Sequence, residues 1–277
     1  MKKLLEQTLE IARKAGDAIM EIYKTDYEQY VKSDSSPLTE ADLAAHHIII
    51  DGLSAISDYP CLSEESGEDD GIDWQQRKQW GTYWLIDPLD GTKEFINKND
   101  EFTVNIALIE NGKAVLGVVY CPPLDRLYYA EKSLGAFRKD GDQEAINIKV
   151  ADVPAAGETW KVVGSRRHGA EALETFAEQL GHVEIVSMGS SLKLCLVAEG
   201  EAHLYPRLAL TCEWDTGAAQ AIVEIAGGQV LAPNSTSNSL LSLMYGEKED
   251  LLNPFFIVCG PISDIWQATF LQLAHTK

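Results

Sequence analysis

The feature that most constrains this chain is a short apolar run that ends in two carboxylates. Tyr83-Trp84-Leu85-Ile86 predicts a buried strand, and it leads directly into Asp87-Pro88-Leu89-Asp90-Gly91-Thr92. Pro88 would fix a turn after the strand, and Gly91 permits tight backbone there. Two carboxylates three residues apart on such a turn can converge, and their mutual repulsion then calls for a cation.

Magnesium is the cation that this turn suits best, because it prefers hard oxygen ligands and retains waters and substrate phosphate in its shell. An exposed surface turn is the alternative, since Asp, Pro and Gly are all ordinary turn residues. The apolar strand that feeds the segment favours the metal site.

Size and charge bound the function. The chain has 277 residues, of which 45% are hydrophobic, enough for one large domain or two intimate subdomains with a core. Its formal net charge of -20 disfavours binding to a nucleic-acid polymer. A small anionic substrate then needs local cations, and bound metal ions are the simplest source.

The cysteines and the N-terminus predict a cytoplasmic protein. The five cysteines contain no C-x-x-C pair, which favours reduced thiols over a disulfide framework or a zinc knuckle. Glu6 comes too early for a secretory signal. No stretch approaches the roughly 20 apolar residues that a transmembrane helix needs.

The first half of the chain predicts helices packed on a largely antiparallel sheet. Apolar residues three or four apart predict a helix over 5–22, and a second helix runs from Thr39 to about Ile56. Strand patterns follow at 102–109, 113–120 and 126–130. Asn111-Gly112, between the first two of these strands, indicates a hairpin.

The second half alternates between strands and helices, which favours α/β layering. Strands are predicted at 161–164, 183–187 and 255–258, and helices at 169–180, 190–199, 215–226 and the C-terminus. Small, turn-prone residues at 151–157 mark the join. We therefore expect an N-terminal α+β part over 1–157 and a C-terminal α/β part over 158–277.

Other acidic residues have both structural and chemical interpretations. Glu64-Glu65 lies in the acidic segment 61–73, most of which we expect to be a solvated loop. Asp215 opens a helix of small residues and would serve first as an N-cap. Thr39 and Asp42 have the spacing of a capping box.

Taken together, these elements resemble a known family. Glu64-Glu65-Ser66, then Asp87-Pro88-Leu89-Asp90-Gly91-Thr92, then Trp214-Asp215 are similar in order and spacing to the inositol monophosphatase superfamily of lithium-sensitive phosphatases. The similarity covers essentially the whole chain. It implies an α/β (α+β) fold, a layered α-β-α-β-α sandwich, with the active site between the two parts.

Within the superfamily, the chain most resembles the bacterial 3'(2'),5'-bisphosphate nucleotidases. The segments that carry this likeness are Thr92-Lys93-Glu94-Phe95-Ile96, Val163-Gly164-Ser165-Arg166-Arg167-His168 and Gly189-Ser190-Ser191-Leu192-Lys193. Simpler phosphatases of the superfamily typically have Asn-Phe in place of Glu94-Phe95.

The resemblance implies two magnesium ions, or more, at the site. Glu64, Asp87 and the backbone carbonyl of Leu89 would hold one ion. Asp87, Asp90 and Asp215 would hold the second, with Asp87 bridging the two.

The resemblance also assigns the attacking water. Asp42 and Thr92 would orient it and help to deprotonate it, and the N–H groups of Gly91 and Thr92 would bind phosphate oxygens. For Asp42, the cap and the catalytic role are compatible, because one carboxylate can serve both.

Substrate recognition would fall to residues on several segments. A second phosphate, remote from the scissile one, needs cationic partners. For the basic residues the alternative is an ordinary surface charge. The candidate substrate-binding residues are Gly91, Thr92, Lys93, Ser165, Arg166, His168, Lys193 and Asp215.

The implied activity is Mg²⁺-dependent, lithium-sensitive hydrolysis of the 3'-phosphate of adenosine 3',5'-bisphosphate to AMP, by in-line attack of water activated by two metals. This would clear a by-product of sulfate assimilation, and 3'-phosphoadenylyl sulfate is a second candidate substrate.

One alternative is an inositol-phosphate or broad sugar-phosphate monophosphatase. An alternative of another class is a metal-binding interaction protein of the transcription machinery. By resemblance alone, a homodimer and loose association with the inner membrane face also stay open.

Overall fold

The computed structural model describes residues 1–25, 29–31, 37–66, 72–164 and 170–275. Its α-helices, in chain order, are α1 (Lys2–Tyr23), α2 (Glu40–Ile56), α3 (Trp74–Arg77), α4 (Thr92–Ile96), α5 (Ala170–Glu178), α6 (Leu192–Ala198), α7 (Trp214–Ile225) and α8 (Asp264–His275). Its strands are β1 (Gln29–Val31), β2 (Pro37–Thr39), β3 (Cys61–Ser63), β4 (Thr82–Asp90), β5 (Thr103–Glu110), β6 (Lys113–Cys121), β7 (Arg126–Glu131), β8 (Gly135–Asp140), β9 (Ile146–Asn147), β10 (Trp160–Gly164), β11 (Val183–Ser187), β12 (Leu204–Arg207), β13 (Gln229–Pro233), β14 (Leu240–Ser242) and β15 (Phe256–Cys259).

Two large sheets organise the molecule. The first has the order β3-β4-β5-β6-β7-β8-β9, and all its pairs are antiparallel except the parallel pair β3–β4. The second is mixed, with the order β11-β10-β12-β15-β13-β14. Strands β1 and β2 form a separate two-stranded sheet.

Helices cover both faces of each sheet. Helices α1 and α2 pack on one face of the first sheet, and α6 and α7 lie between its other face and the second sheet. Helices α5 and α8 cover the outer face of the second sheet. The layered α-β-α-β-α sandwich expected from the sequence is therefore confirmed.

Strand periodicity explains why the first sheet is buried on both sides. In β5, Val104, Ile106 and Leu108 face α1 and α2. Ala107 and Ile109 alternate with them and face the layer of α6 and α7. Because both faces are covered, the central strands read as continuous apolar runs.

Most predicted elements are confirmed with small shifts at their ends: α1, α2, β5, β6, β7, β10, α5, β11, α6, α7, β15 and α8. The predicted hairpin is confirmed too, since Asn111 and Gly112 have φ values of 49° and 77°. Within 61–73, most of which is predicted to be a solvated loop, Cys61–Ser63 forms the short strand β3; residues 67–71 lie outside the described part.

The boundary between the two parts stays a prediction. The first sheet ends at Asn147 and the second begins at Trp160, on either side of the predicted join. However, α6 and α7 share one hydrophobic core with strands of both sheets. Among the described residues, no helix has the length and apolar character needed to cross a membrane.

Candidate active site

A β-bulge in β4 brings Asp87 and Asp90 to the same face of the first sheet. Asp87 pairs with Asn105 and Asp90 pairs with Thr103, so β4 carries one extra residue between the two pairs. Residues three apart on a regular strand point to opposite faces, and the extra residue cancels this difference. The two carboxylates therefore face the same layer.

The turn predicted after Ile86 is therefore wrong in detail, because the strand continues through the bulge to Asp90. Pro88 lacks the N–H that a regular ladder would use, which accounts for the irregularity at this position. The alternative of an exposed surface turn is wrong as well, since Asp87 and Leu89 are each only 1% exposed.

The parallel pairing of β3 with β4 places Glu64 beside Asp87. Ser63 pairs with Ile86, and the N–H of Glu64 donates to the carbonyl of Ile86 at 3.0 Å. Glu64 and Asp87 directly follow this pair on the two parallel strands, so they lie side by side at the same end of the strands. Glu64 is half-buried, so the alternative of a fully solvated side chain does not hold for it.

Helix α7, from the second half of the chain, places Asp215 beside the carboxylates of the first sheet. Its small residues allow the helix to lie close to the first sheet: a Cβ on Gly217 would come within 2.9 Å of the Leu85 side chain. Leu85 and Asp87 share the face of β4 that points toward α7. The N-cap is Glu213, so the alternative of Asp215 as the cap is wrong; Asp215 lies in the first turn and accepts from the Cys212 N–H at 2.8 Å.

Three carboxylates converge where these elements meet. Glu64, Asp87 and Asp215 each offer an oxygen, and these oxygens lie within 4.8 Å of one another. Oδ1 of Asp87 accepts from the Leu89 N–H at 3.0 Å, whereas the buried Oδ2 has no hydrogen-bond partner among the residues that the structure describes. A buried carboxylate oxygen without a donor fits a bound cation, and an all-oxygen set fits a hard divalent one.

The electrostatics of the site agree with this. The pKa of Asp87 lies well above its ordinary value because of burial and of the neighbouring charges on Glu64 and Asp90. Burial, with Asp90 and Glu64, raises the pKa of Asp215 to about 8. These carboxylates resist ionising together, and a cation among them would remove that penalty.

Asp90 is held by donors from the other half of the molecule. Its Oδ2 accepts from the Ser190 hydroxyl at 2.7 Å and from the Ser191 N–H at 2.6 Å. The Ser191 hydroxyl lies 2.8 Å from this oxygen and also 2.8 Å from the Asp215 carbonyl, so it can donate to either. The predicted ligand role of Asp90 rests on its other oxygen.

Asp42 and Thr92 meet at the edge of the site. Oδ2 of Asp42 accepts from the Thr39 N–H at 2.8 Å and from the Thr39 hydroxyl at 2.6 Å, so the predicted capping box is confirmed. Its Oδ1 accepts from the Thr92 hydroxyl at 3.3 Å. One carboxylate therefore caps α2 and contacts Thr92.

The carboxylates line an open cleft of about 400 Å³. Its lining includes Glu64, Asp87, Leu89, Asp90 and Asp215, together with Gly91, Thr92 and Lys93. The predicted residues Ser165, Arg166 and His168 lie outside the described part of the chain.

A smaller cavity of about 80 Å³ adjoins the site, and Asp90, Lys193, Arg207 and Asp215 line it. Lys193 donates to the Ser190 carbonyl at 2.6 Å. The positive charge of Arg207 acts on the pKa of Asp215 in the opposite direction and lowers it, although the net shift is upward. The Arg207 charge is therefore close enough to influence the carboxylates.

Sequence reasoning did not identify every residue of the site. Ser190 and Ser191 belong to the motif Gly189–Lys193, but nothing in that motif indicates that they bind Asp90. Arg207 and the apolar Leu210 and Leu252 of the cleft carried no local signal.

Comparison with known proteins decides the family. Residues 1–268 match the inositol monophosphatase family. The chain belongs to the inositol monophosphatase family. Among curated members of this family, it is 47% identical to the 3'(2'),5'-bisphosphate nucleotidase CysQ of Salmonella typhimurium over 258 residues, which are 92% of this chain and 99% of that protein. It is 45% identical to the protein of the same name from Escherichia coli K12, with the same coverage.

Solved structures of the inositol monophosphatase family share the fold. CysQ from Bacteroides thetaiotaomicron superposes with a TM-score of 0.79 at 40% identity, covering 94% of this chain and 97% of that one. The inositol monophosphatase of Thermotoga maritima has a TM-score of 0.72 over 100% and 98% of the two chains. At 23% identity, the latter similarity shows the fold alone.

Proposed function

We propose that this chain is a magnesium-dependent phosphomonoesterase that removes the 3'-phosphate of adenosine 3',5'-bisphosphate to give AMP. The observation that carries the proposal is the convergence of oxygens from Glu64, Asp87 and Asp215 within 4.8 Å in an open cleft. The identity to curated bisphosphate nucleotidases supports the substrate class. 3'-Phosphoadenylyl sulfate, which carries the same 3'-phosphate, is a second candidate substrate.

Glu64, Asp87, the Leu89 carbonyl, Asp90 and Asp215 would hold two magnesium ions or more. When bound, these ions would neutralise phosphoryl oxygens and make an attacking water more acidic. Ser190 and Ser191 hold one oxygen of Asp90, and the Cys212 N–H holds one oxygen of Asp215. The chain therefore fixes its carboxylates before a substrate arrives.

Thr92 and Asp42 would handle the proton of the attacking water. The Thr92 hydroxyl donates to Oδ1 of Asp42, which leaves a Thr92 lone pair free to accept a hydrogen bond from water. Thr39 holds the other oxygen of Asp42 and fixes the carboxylate in position. The pair would orient the water and pass its proton to Asp42.

Phosphate binding would use the start of α4 and nearby cations. Gly91 has a φ of 93°, and Gly91 and Thr92 line the cleft at the start of this helix, where their N–H groups would bind phosphate oxygens. Lys93 is exposed at the cleft, and Lys193 lies in the adjoining cavity. With Ser165, Arg166 and His168, these residues are the proposed partners of the substrate phosphates.

A substrate panel tests the proposal. Phosphate release from adenosine 3',5'-bisphosphate, 3'-phosphoadenylyl sulfate and inositol 1-phosphate would be measured with Mg²⁺ and with a chelator. Phosphorus NMR would identify the product as the 5'-monophosphate. We expect turnover of the nucleotides, loss of activity with chelator, and inhibition by lithium.

Other outcomes favour the alternatives. A clear preference for inositol 1-phosphate would indicate an inositol-phosphate or sugar-phosphate monophosphatase. Metal binding without turnover of any ester would favour the interaction protein. Residence in the cytoplasm and a homodimer stay predictions.

A further inference from the structure

Two exposed leucines border the carboxylate site. The exposed fractions are 63% for Leu210 and 40% for Leu252, and both residues line the same cleft as Glu64, Asp87 and Asp215. Single exposed leucines are ordinary on protein surfaces. Here, however, two of them line one cleft together with a group of carboxylates.

Backbone pairing joins the two segments that carry these leucines. Cys212 and Leu252 form an antiparallel bridge. The N–H of Asn253 donates to the Thr211 carbonyl at 2.7 Å. Leu210 lies two residues before the bridge and Leu252 is part of it, and both line the cleft. The two leucines therefore lie on the same side.

Side chains anchor this apolar wall, formed by Leu210 and Leu252, from behind. The guanidinium of Arg207 donates to the carbonyls of Ala209 at 3.1 Å and Leu210 at 2.9 Å. The amide of the buried Asn253 donates to the Cys212 carbonyl at 2.7 Å. The wall is thus fixed without a ligand, so binding to it costs little ordering entropy.

The chemistry of the wall favours one kind of occupant. Leucine methyl groups offer no hydrogen bonds, so the hydroxyls of a polyol ring pressed against them would lose their water partners. The flat face of a heteroaromatic ring presents no such groups and gains from apolar contact. A nucleotide carries this kind of ring alongside its phosphates.

We propose that Leu210 and Leu252 form the surface that receives the purine base of the substrate, and that this contact selects nucleotides over polyol phosphates. The inference rests on the proposed function. It assigns specificity to residues that take no part in metal binding.

A pair of substrates isolates the contact with the base. The first is adenosine 3',5'-bisphosphate, and the second is its abasic analogue, which carries the same two phosphates on a tetrahydrofuran ring. Leu210→Ser and Leu252→Ser should each lower kcat/KM for the nucleotide by roughly fivefold to tenfold, because apolar contact area is lost. For the abasic analogue, kcat/KM should stay within about twofold of wild type.

Matched variants control for stability and for hydrophobicity in general. Leu210→Met keeps the apolar contact and should retain the preference for the nucleotide. Ile146→Ser removes an apolar residue whose exposed fraction, 55%, lies between those of the two leucines. Ile146 lies at the far edge of the first sheet, and the variant should leave turnover of both substrates unaffected. Thermal unfolding confirms that each variant is folded.

The outcomes separate the two ideas. A wild-type enzyme that fails to release the 3'-phosphate from adenosine 3',5'-bisphosphate refutes the proposed function. If the wild-type enzyme releases this phosphate, the apolar wall alone is tested by the serine variants. It is refuted if kcat/KM falls equally for both substrates, or falls for neither.

Discussion

Ser191 and Asp90 are joined through the backbone N–H of Ser191, which donates to Oδ2 of the carboxylate at 2.6 Å. The two residues are 101 positions apart, one following the strand bulge of the first sheet and the other preceding α6. The Ser191 hydroxyl also lies within 2.8 Å of the backbone carbonyl of Asp215. One serine therefore ties together two of the proposed metal ligands.

Loss of that tie should weaken metal binding. Ser191→Ala keeps the N–H contact but removes the hydroxyl, and we expect the Mg²⁺ concentration for half-maximal activity to rise about 10-fold. Titration with Mg²⁺ measures this. Ser237→Ala, in the exposed segment 235–238, is the matched control and should leave the titration unchanged. An unchanged titration for Ser191→Ala would mean that Asp90 needs no such support.

Asp87→Asn should separate activity from stability. The variant replaces a buried carboxyl, whose pKa is raised by burial and by the charges on Glu64 and Asp90, with a neutral amide, so the free energy of unfolding without metal should rise. Turnover should fall by about 10³-fold or more, because a proposed metal ligand is lost. Thermal unfolding with chelator and phosphate release with Mg²⁺ measure the two effects. Retention of full phosphatase rate would contradict the metal site.

The stability of the metal-free protein should fall as pH rises. For Asp215, the pKa is about 8 in the folded state and near 3.8 as a model value, so the folded state binds more protons between these limits. Stability from this group is present below about pH 4 and is lost progressively toward pH 8. Asp87 acts in the same direction.

Thermal unfolding from pH 5 to 8.5 with chelator measures this loss, and Asp215→Asn should reduce its slope. Because metal binding must displace the retained protons, Mg²⁺ affinity should rise over the same range. Calorimetry in buffers of different ionisation enthalpy should detect proton release on binding. A slope that is the same in wild type and Asp215→Asn would show that this carboxyl keeps an ordinary pKa.

Thr92 should act on the chemical step. Thr92→Ala removes the hydroxyl that contacts Asp42, and kcat should fall by about 10²- to 10⁴-fold, the range of general acid–base catalysis. Thr92→Ser restores the hydroxyl and should recover most of the rate. Steady-state kinetics measure both variants, and equal loss in the two would point to packing of the methyl group instead.

The close approach of α7 to the first sheet should be sensitive to a single methyl group. A Cβ on Gly117 would lie 2.1 Å from the carbonyl oxygen of Ala218, so Gly117→Ala must push the helix away. We expect a loss of about 1–3 kcal/mol in the free energy of unfolding, with weaker Mg²⁺ binding, because α7 carries Asp215. Gly81→Ala, where a Cβ meets nothing closer than 3.7 Å, is the control.

Periodicity alone predicted most central elements, because strands such as β5 and helices such as α1 are long and patterned. It did not predict β8, β12, β13 or β14. β8 contains few apolar residues, β14 has only three residues, and β12 and β13 pair with β15, which lies far away along the chain, so no local pattern marks them. The resemblance to a family, rather than the pattern, gave the layered fold.

The parts of the site that lie within one short sequence motif were predictable. The parts that are brought together only by tertiary contacts were not. Asp87 and Asp90 were recognisable, but the bulge was not, since Asp-Pro-Leu-Asp-Gly has the composition of a turn. Glu64 and Asp215 were ambiguous by themselves. The apolar wall of Leu210 and Leu252 depends on an antiparallel bridge between segments that show no strand pattern.

Helix α7 belongs to the layer that both sheets share, and this has a consequence for incomplete chains. A translation product that stops before residue 215 contains Glu64 and Asp87 but lacks the carboxylate that completes their cluster. Magnesium would stabilise the finished polypeptide and do little for such fragments, since a ligand favours only the state that binds it. Magnesium bound at the proposed site would thereby protect full-length molecules from proteolysis and would not protect truncated ones.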